Sequence, residues 1–263
     1  MMRKVRLHKG RSARSAAQFV AMVATISVAS SCGAETSGEL QVAVASNFAA
    51  AMTRIAQQFE VDTGETVSLS FGSTGKHYAQ IRNGAPYDVF FAADERRPQL
   101  LEEEGIAASG SRFTYAAGRL VLWSPIEGFV DPHGRVLGEG TIRFLAIANP
   151  DVAPYGRAAR EVLQAMGRWD GLAGRIVRGE NISQSFQFAR SGNADLAFVA
   201  YSQVMRDGSP TEGSVWLIPD SLYGPIEQQA VLLRDSDTAR RFLAFVRSEP
   251  AMLIIREYGY QTP

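Results

Sequence analysis

Short apolar runs alternate with stretches of helical periodicity along most of the chain, and this alternation constrains the fold more than any other feature. The run Leu40–Ala45 has the character of a buried strand, and in residues 48–60 the apolar side chains recur on one helical face. Further strand-like runs lie at 66–71, 87–93, 119–123, 143–148, 174–177, 194–199 and 225–233. Further helical stretches lie at 76–82, 96–104, 156–166, 183–191, 201–206, 236–247 and 249–258. Strands that alternate with helices predict an α/β fold built on mainly parallel sheets.

The N-terminal segment has the composition of an export signal. Basic residues lie between Arg3 and Arg14, an apolar run covers 19–29, and small residues surround Cys32. This order matches a secretory signal peptide, and the apolar run is shorter than the roughly 20 residues that span a bilayer. We therefore predict a signal peptide over residues 1–34, with an amphipathic first helix of the fold as the alternative. Export would place the protein in the periplasm or anchor it outside the cytoplasmic membrane.

Cys32 is the only cysteine of the chain, and it allows two forms of this signal. It lies where a bacterial lipoprotein signal carries its lipidated cysteine, although the leucine that usually precedes that cysteine by three positions is absent. Cleavage after Ala34 by the ordinary signal peptidase is the alternative. A single cysteine also excludes an internal disulfide.

The charge of the chain is balanced only as a total. Lys plus Arg and Asp plus Glu both number 27, which argues against a nucleic-acid-binding protein with its basic excess. Residues 1–31 hold six of the basic residues and no acidic one, so the rest has 21 basic and 27 acidic residues, a net charge of −6. An acidic protein gains no long-range attraction for an anion. We therefore expect anion capture to depend little on salt.

Polar residues follow the first two predicted strands. Ser46 and Asn47 come after the first strand, and the segment Gly-Ser-Thr-Gly at 72–75 comes after the second. In a parallel sheet both loops leave the same edge, where ligands of α/β folds bind. Hydroxyls, amides and the unpaired N–H groups of the following helices would form an anion site of neutral dipoles there. Helix N-capping is the alternative role for these residues.

Sequence signals of catalysis are weak. Lys76 follows the glycine-bounded segment, but Ser70 and His77 stand where a nucleotide-binding loop needs Gly and Ser or Thr. We expect Lys76 to be a solvated helix residue, with a diffuse attraction for anions as the alternative. No metal-binding or nucleophile-elbow motif occurs, so no enzymatic activity, bare metal ion or cofactor is expected. A serine hydrolase or transferase that uses Ser73 with His77 is the alternative.

Several segments, taken in order, resemble the periplasmic molybdate-binding proteins of ABC import systems. Each segment alone is a weak signal, but the ordered set spans nearly all of the chain after the predicted signal and is specific. The matching segments are Val42-Ala-Val-Ala-Ser-Asn-Phe-Ala-Ala50, Phe71-Gly-Ser-Thr-Gly-Lys76, Tyr78-Ala-Gln-Ile81, Asn83-Gly-Ala-Pro-Tyr-Asp-Val-Phe90, Ala92-Ala-Asp94, Ala148-Asn-Pro-Asp-Val-Ala-Pro-Tyr-Gly156 and Arg256-Glu-Tyr-Gly-Tyr260.

The resemblance implies the two-lobed fold of the type II periplasmic binding proteins. In that fold two α/β lobes, each a mainly parallel sheet flanked by helices, are joined by two crossing segments and close over the ligand. With crossings near 117–119 and 223–225, lobe one would comprise residues 38–117 plus 224–263. Lobe two would comprise residues 118–223, and both lobes then have an ordinary domain size.

The resemblance also implies which residues hold the ligand. The implied oxyanion contacts are Ser46 and Asn47 in the first loop, Ser73 and Thr74 in the second, and the backbone N–H groups at Tyr155 and Ile182. Some family members add a tyrosine hydroxyl after the strand that corresponds to 196–199, where this chain has Ala200 and then Tyr201. We expect this contact to be missing, with partial compensation by Asn47. A shifted register that brings Tyr201 to the ligand is the alternative.

The function implied by the resemblance is capture of molybdate, and also of tungstate, between two lobes, followed by delivery to an ABC permease in the cytoplasmic membrane. A monomer is expected, with molybdenum present only as bound molybdate. Sulfate, chromate or phosphate is the alternative ligand, and selection over sulfate would depend on cavity size because the two dianions share charge and shape. A sensor or adhesion module that has lost its ligand is a further alternative.

Overall fold

The computed structural model describes residues 39–140, 142–206 and 208–263. The predicted signal peptide over residues 1–34, with Cys32, lies outside the described residues. The described residues belong to one compact unit. Among the described residues, none of the helices has the length and apolar character needed to cross a membrane.

Strands and helices alternate through most of this unit. The strands are β1 (Leu40–Ala45), β2 (Val67–Gly72), β3 (Val89–Phe91), β4 (Phe113–Gly118), β5 (Leu120–Ser124), β6 (Leu145–Ala148), β7 (Ile176–Gly179), β8 (Leu196–Ala200), β9 (Met205–Arg206), β10 (Ser209–Pro210), β11 (Ser214–Leu217) and β12 (Ile226–Leu232). The helices are α1 (Ala49–Thr63), α2 (Thr74–Arg82), α3 (Arg96–Glu103), α4 (Pro154–Ala165), α5 (Trp169–Leu172), α6 (Ile182–Arg190), α7 (Tyr201–Val204), α8 (Asp237–Val246) and α9 (Glu249–Glu257).

The first sheet has the strand order β2-β1-β3-β12-β4. Strand β1 pairs in parallel with β2 and β3, whereas β12 is antiparallel to β3 and β4. Val42 and Val44 of β1 pack on one face against Phe48 and Met52, while Ala43 faces a second apolar cluster with Phe90 on the opposite face. Both faces of β1 are therefore buried, which explains its continuous apolar sequence.

The second sheet has the order β11-β5-β8-β6-β7. Strand β6 pairs in parallel with β7 and β8, and β5 is antiparallel to β8 and β11. Leu145 and Ile147 of β6 pack with Val162 of α4, whereas Ala146 faces the other way, toward Ala189 of α6. The second sheet is thus also a helix-covered layer.

The predicted α/β fold of two helix-flanked sheets is confirmed. Each sheet is mixed, with two parallel and two antiparallel pairings, because β12 returns to the first sheet and β5 enters the second in the opposite direction to their parallel neighbours. The boundaries expected for the two lobes stay a prediction.

Four strands of the two sheets end where a helix or helical turn begins, and this positions the site. Strand β1 leads into a single 3-10 turn at Ser46–Phe48 and then α1, and β2 leads into α2. Strands β6 and β7 of the second sheet lead through short loops into α4 and α6. Ser73 and Asn181 cap α2 and α6 with their side chains, so each of these two helices begins immediately after its loop.

Candidate functional site

A small cavity of about 10 Å³ lies where these strand ends meet. One wall consists of residues at or after the ends of β1, β2 and β3, and we name it the first-sheet side. The other wall consists of residues after β6 and β7, and we name it the second-sheet side. The lining residues are Ala45, Ser46, Asn47, Gly72, Ser73, Thr74, Ala93, Ala153, Pro154, Tyr155, Asn181 and Ile182. All six residues implied by the resemblance therefore lie at one place, although their role as ligand contacts stays a prediction. A cavity this small has the scale of a single water molecule, so it excludes a sugar or a peptide.

Two hydroxyls on the first-sheet side are held as hydrogen-bond donors. Thr74 Oγ1 accepts the backbone N–H of Ala93 at 3.0 Å, and Ser73 Oγ accepts that of Lys76 at 3.4 Å. A hydroxyl that accepts one hydrogen bond still has its own hydrogen to donate. Both residues are buried, so those hydrogens can be directed into the cavity rather than to bulk water.

Backbone N–H groups complete the donor set. The first N–H groups of a helix have no partner within the helix. The next amides of α2 and α4 do have partners, which lie in the loop before α4. Gly75 N of α2 donates to Val152 O, and Gly156 N of α4 donates to Ala153 O. Across the described ranges no hydrogen bond joins the N–H groups of Thr74, Tyr155 and Ile182 to another group. These three amides line the cavity, which is where an acceptor is missing.

The cavity lining contains no charged side chain in the described part of the chain. Its positive potential comes from helix starts on both walls, since the aligned peptide dipoles leave a partial positive charge at each helix N-terminus. Hydroxyl and amide donors around a partial positive charge favour an anion over a cation. The arrangement is therefore chemically an oxyanion site made of neutral groups.

Asn47 directs its side chain away from the cavity. Its Nδ2 donates to Gln228 Oε1 at 2.8 Å and to Tyr260 OH at 3.1 Å, so both amide hydrogens are used. Asn47 can offer the cavity its backbone N–H but not its side-chain amide. Compensation for a missing tyrosine hydroxyl by the Asn47 side chain does not fit this geometry.

Behind the cavity lies a buried polar cluster that joins the two sheets. Its members are Asn47, Tyr115, Tyr155, Ser202, Gln228 and Tyr260. Gln228 is central, because it accepts from Tyr115 OH at 3.0 Å and donates to Tyr155 OH at 3.3 Å. Burial raises the pKa of Tyr115 and Tyr155, and it raises the pKa of Tyr260 to about 12, so these phenols stay protonated at neutral pH. Sequence reasoning missed this cluster because its members are far apart in the chain.

His77 is buried beneath the second loop and does not contact the Ser73 hydroxyl. Its Nδ1 lies 3.2 Å from Gln80 Oε1, and its Nε2 faces Gly72 without a hydrogen-bond partner among the described residues. Burial lowers the pKa of His77, which favours the neutral ring. The Ser73–His77 pair of the hydrolase alternative is not formed in this geometry.

Tyr201 lies outside the cavity. Arg119 Cζ is 3.8 Å from the centre of the Tyr201 ring, and the ring also packs against Gly259. The cavity lining does not include Tyr201. The shifted register that would bring its hydroxyl to a ligand therefore has no support in this geometry.

Direct contacts join the two sides of the cavity around its rim. Gly75 N donates to Val152 O at 2.8 Å, and Ser183 Oγ donates to Ser46 O at 3.2 Å. Outside them, Lys76 Nζ lies 3.1 Å from both carboxylate oxygens of the exposed Glu180. Lys76 is thus paired across the cavity mouth and is not part of the donor set. Within the described ranges, no three His, Cys, Asp or Glu side chains are grouped closely enough to hold a metal ion.

Comparison with known proteins matches the chain to one family. The family model described as bacterial extracellular solute-binding protein matches residues 40–261. The chain belongs to this family.

This solute-binding protein has relatives of high identity. It is 49% identical over 232 residues to the molybdate-binding protein ModA of Azotobacter vinelandii, covering 87% of this chain and 92% of the relative. It is 46% identical over 229 residues to the molybdate-binding protein ModA of Rhodobacter capsulatus, covering 86% and 89%. The solved structure of the Azotobacter vinelandii periplasmic molybdate-binding protein aligns with a TM-score of 0.82 and 44% identity, over 86% of this chain and all of that one. These relatives are binding proteins by name.

Proposed function

We propose that this solute-binding protein captures molybdate in the cavity and delivers it to an ABC permease. The observation that carries the proposal is the donor set, in which residues with buried hydroxyls and residues with unpaired helix-start amides line one small cavity without a charged side chain. Relatives named for molybdate binding, at 49% and 46% identity, support the choice of anion. Tungstate, a tetrahedral dianion of the same charge, is the second ligand proposed.

The proposed contacts divide between hydroxyls and backbone amides. Ser46, Ser73 and Thr74 donate their hydroxyls, and Tyr155 and Ile182 donate their backbone N–H groups. Asn47 contributes through its backbone. A buried dianion is costly without hydrogen bonds, and these oriented donors replace its water shell without a formal countercharge.

Capture is proposed to couple to closure of two lobes, residues 38–117 plus 224–263 and residues 118–223. The contacts of Gly75 with Val152 and of Ser46 with Ser183 join the proposed lobes at the cavity rim. A ligand that contacts both lobes favours the state in which these contacts form, and the permease then recognises that state.

We also propose a monomer that works in the periplasm or is anchored outside the cytoplasmic membrane. The family description as extracellular supports export. A lipid on Cys32 and cleavage after Ala34 remain the two proposed forms of the N-terminus. Mass spectrometry of the exported protein distinguishes them, because lipidation adds acyl chains to Cys32 and the other route removes this residue.

A panel of thermal melts followed by calorimetry tests the proposed ligand. Sodium molybdate and sodium tungstate are expected to raise the melting temperature strongly, because a ligand that binds only the folded state stabilises it. Sulfate, chromate and phosphate are expected to raise it less. Equal affinities for molybdate and sulfate would contradict the proposed selectivity, and no shift with any oxyanion would support the ligand-free sensor or adhesion module instead.

A further inference from the structure

A groove of about 480 Å³ lies beside the cavity, and its lining has the opposite chemistry. One wall comes from α2 and the start of α3, and the other from the loop before α4 and the first turns of α4. Four arginines line it: Arg96, Arg97, Arg157 and Arg160. Ala153 and Pro154 belong to the walls of both the groove and the cavity, so the two spaces are neighbours.

Two of these arginines carry charge that no acid offsets. Arg97 pairs with Asp94, and Arg157 lies 3.6 Å from Glu161. Arg96 and Arg160 form no ion pair with any residue that the structure describes. The acidic residue of the lining is the exposed Asp151, so the two unpaired guanidinium groups face one carboxylate along the groove.

The placement of the arginines works against helix stability. Arg96 and Arg97 open α3, while Glu102 and Glu103 close it, which is the reverse of the order that the helix dipole favours. Arg157 likewise lies in the first turns of α4. A cation at a helix start lowers stability, and Arg96, unlike Arg97, has no ion pair among the described residues to offset this cost, so its position points to a use other than folding.

We propose that this groove is an outer oxyanion site that collects the tetrahedral dianion from solution before the cavity takes it. The inference rests on the proposed function. A guanidinium group presents paired N–H donors that match two oxygens of an oxyanion, and it stays charged at any working pH. Charges of one sign in a concave surface focus the field and raise the rate of encounter with an oppositely charged ligand. Anion capture is then salt-dependent despite the net charge of −6, because the positive charge is concentrated at the point of entry.

Two hydrogen bonds join the two walls where the groove lies beside the cavity. Gly75 N donates to Val152 O at 2.8 Å, and Arg97 Nη2 donates to Asp151 O at 3.4 Å. Gly75 lines the groove and the adjacent Thr74 lines the cavity, so in this proposal the anion passes here when these contacts open. An anion held by Arg96 or Arg160 then has a short path to the inner donors.

Association kinetics of sodium molybdate test the outer site. The comparison uses the unaltered protein, the double variant R96Q/R160Q, and a control variant, R135Q/R178Q, which removes two exposed arginines that do not line the groove. At low salt R96Q/R160Q is expected to associate about threefold to tenfold more slowly, with an unchanged dissociation rate, and the difference is expected to vanish at high salt. The control variant is expected to associate like the unaltered protein.

Chemical protection tests the groove without relying on the cavity. Phenylglyoxal modifies accessible arginines, and mass spectrometry reports the rate at each site. Sodium sulfate, compared with sodium chloride at equal ionic strength, is expected to slow modification of Arg96 and Arg160 but not of Arg135 or Arg178. A guanidinium site is not selective, so sulfate serves as the probe even if the cavity rejects it.

The two measurements separate failure of the outer site from failure of the proposed function. Tight molybdate binding with equal association rates in both double variants overturns the outer site. Equal modification of all four arginines in sulfate and chloride also overturns it. Absence of tight molybdate binding in the unaltered protein overturns the proposed function, while protection of Arg96 and Arg160 would still establish an anion site in the groove.

Discussion

The two sides of the cavity supply donors of different kinds. The first-sheet side presents backbone N–H groups and, in addition, the side-chain hydroxyls of Ser46, Ser73 and Thr74, two of them oriented by backbone N–H groups that they accept. The second-sheet side presents backbone N–H groups, because Tyr155 directs its hydroxyl to Gln228 and the Ile182 side chain packs in the core. One side thus depends on residue identity and the other on the position of two helix starts.

The two sides therefore differ in their sensitivity to substitution. A hydroxyl is lost when one side chain changes, whereas a backbone donor survives any substitution that preserves the start of the helix. Single substitutions on the first-sheet side can therefore change which ligand the site prefers. The second-sheet side keeps a general preference for anions.

Removing hydroxyls from the first-sheet side is expected to have the largest effect. Ser46→Ala and Thr74→Ala should each weaken molybdate binding by about 1–3 kcal/mol, or roughly fivefold to 150-fold, because each leaves a buried ligand oxygen without its donor. Thr74→Ser is the matched control, since it keeps the hydroxyl that accepts Ala93 N–H. Calorimetry measures the affinities, and equal binding by the Thr74→Ala and Thr74→Ser variants would remove Thr74 from the donor set.

Gly75→Ala is expected to weaken binding about tenfold by keeping the two sides apart. An added Cβ would lie 2.9 Å from Val152 Cα and Val152 O, closer than packed atoms allow. Alanine favours the helix itself, so the ligand-free protein should be as stable or more stable. Gly171→Ala is the control, because a Cβ there meets nothing within 4 Å. Unchanged affinity in Gly75→Ala would mean that this contact is not needed for capture.

A buried titratable group, His77, lies beneath the loop at 72–75 that contributes to the first-sheet side. Burial lowers the pKa of His77 in the folded protein below its usual value of 6.5. Between this lowered pKa and 6.5 the unfolded chain therefore binds more protons than the folded chain. The stability contributed by the neutral ring is present above pH 6.5 and is lost as the pH falls through the lowered pKa. Urea unfolding at a series of pH values should show a shallower acid loss in His77→Gln than in the unaltered protein. Parallel pH profiles would show that His77 does not titrate differently on folding.

Breaking the ion pair between Lys76 and Glu180 across the cavity mouth is expected to change the affinity for molybdate only slightly. Lys76 and Glu180 have about half of each side chain exposed, so water and salt screen their attraction. Lys76→Gln and Glu180→Gln should each weaken molybdate binding by no more than about threefold. A larger loss in Lys76→Gln than in Glu180→Gln would show that Lys76 acts on the anion directly.

Ile182→Val is expected to leave the affinity for molybdate unchanged, which is the sharpest test of the second-sheet side. The side chain packs in the core, so the change should cost about 0.5–1.5 kcal/mol of folding stability. The N–H group at the start of α6 stays in place. Calorimetry and urea unfolding of the same variant separate the two effects, and a loss of affinity comparable to that of Ser46→Ala would contradict a purely backbone role.

The sequence predicted the edge strands β2 and β7, and it also predicted the strands that are buried on both faces. Apolar runs such as Leu40–Ala45 and the segment at 194–199 announce such strands, because a layer covered by helices on both sides needs continuous apolar residues. Strands β4, β9, β10 and β11 were missed. Strand β4 ends in Ala-Ala-Gly, β11 has four residues, and β9 and β10 have two each, so none has a pattern of its own.

The sequence predicted which loops form the site but not which side-chain atoms face the cavity. Strand ends followed by Ser, Thr and Asn indicated the loops, since parallel strands bring their carboxyl ends to one edge. The sequence could not show that Asn47 turns its amide to Gln228, a residue 181 positions away. Nor could it show the arginine groove, because Arg96 and Arg160 come together only when α3 and α4 face each other across it.

The orientation of Ser73 and Thr74 has a consequence for ligands that carry their own proton. Each hydroxyl oxygen already accepts one backbone N–H group, and apart from the Ser46 hydroxyl the other groups assigned to the site are N–H donors. Hydrogen phosphate brings an O–H that needs an acceptor, and it would have to use a hydroxyl that is otherwise a donor to the anion. Fully deprotonated anions meet no such mismatch. The donor set therefore favours a fully deprotonated anion over a protonated one of similar size.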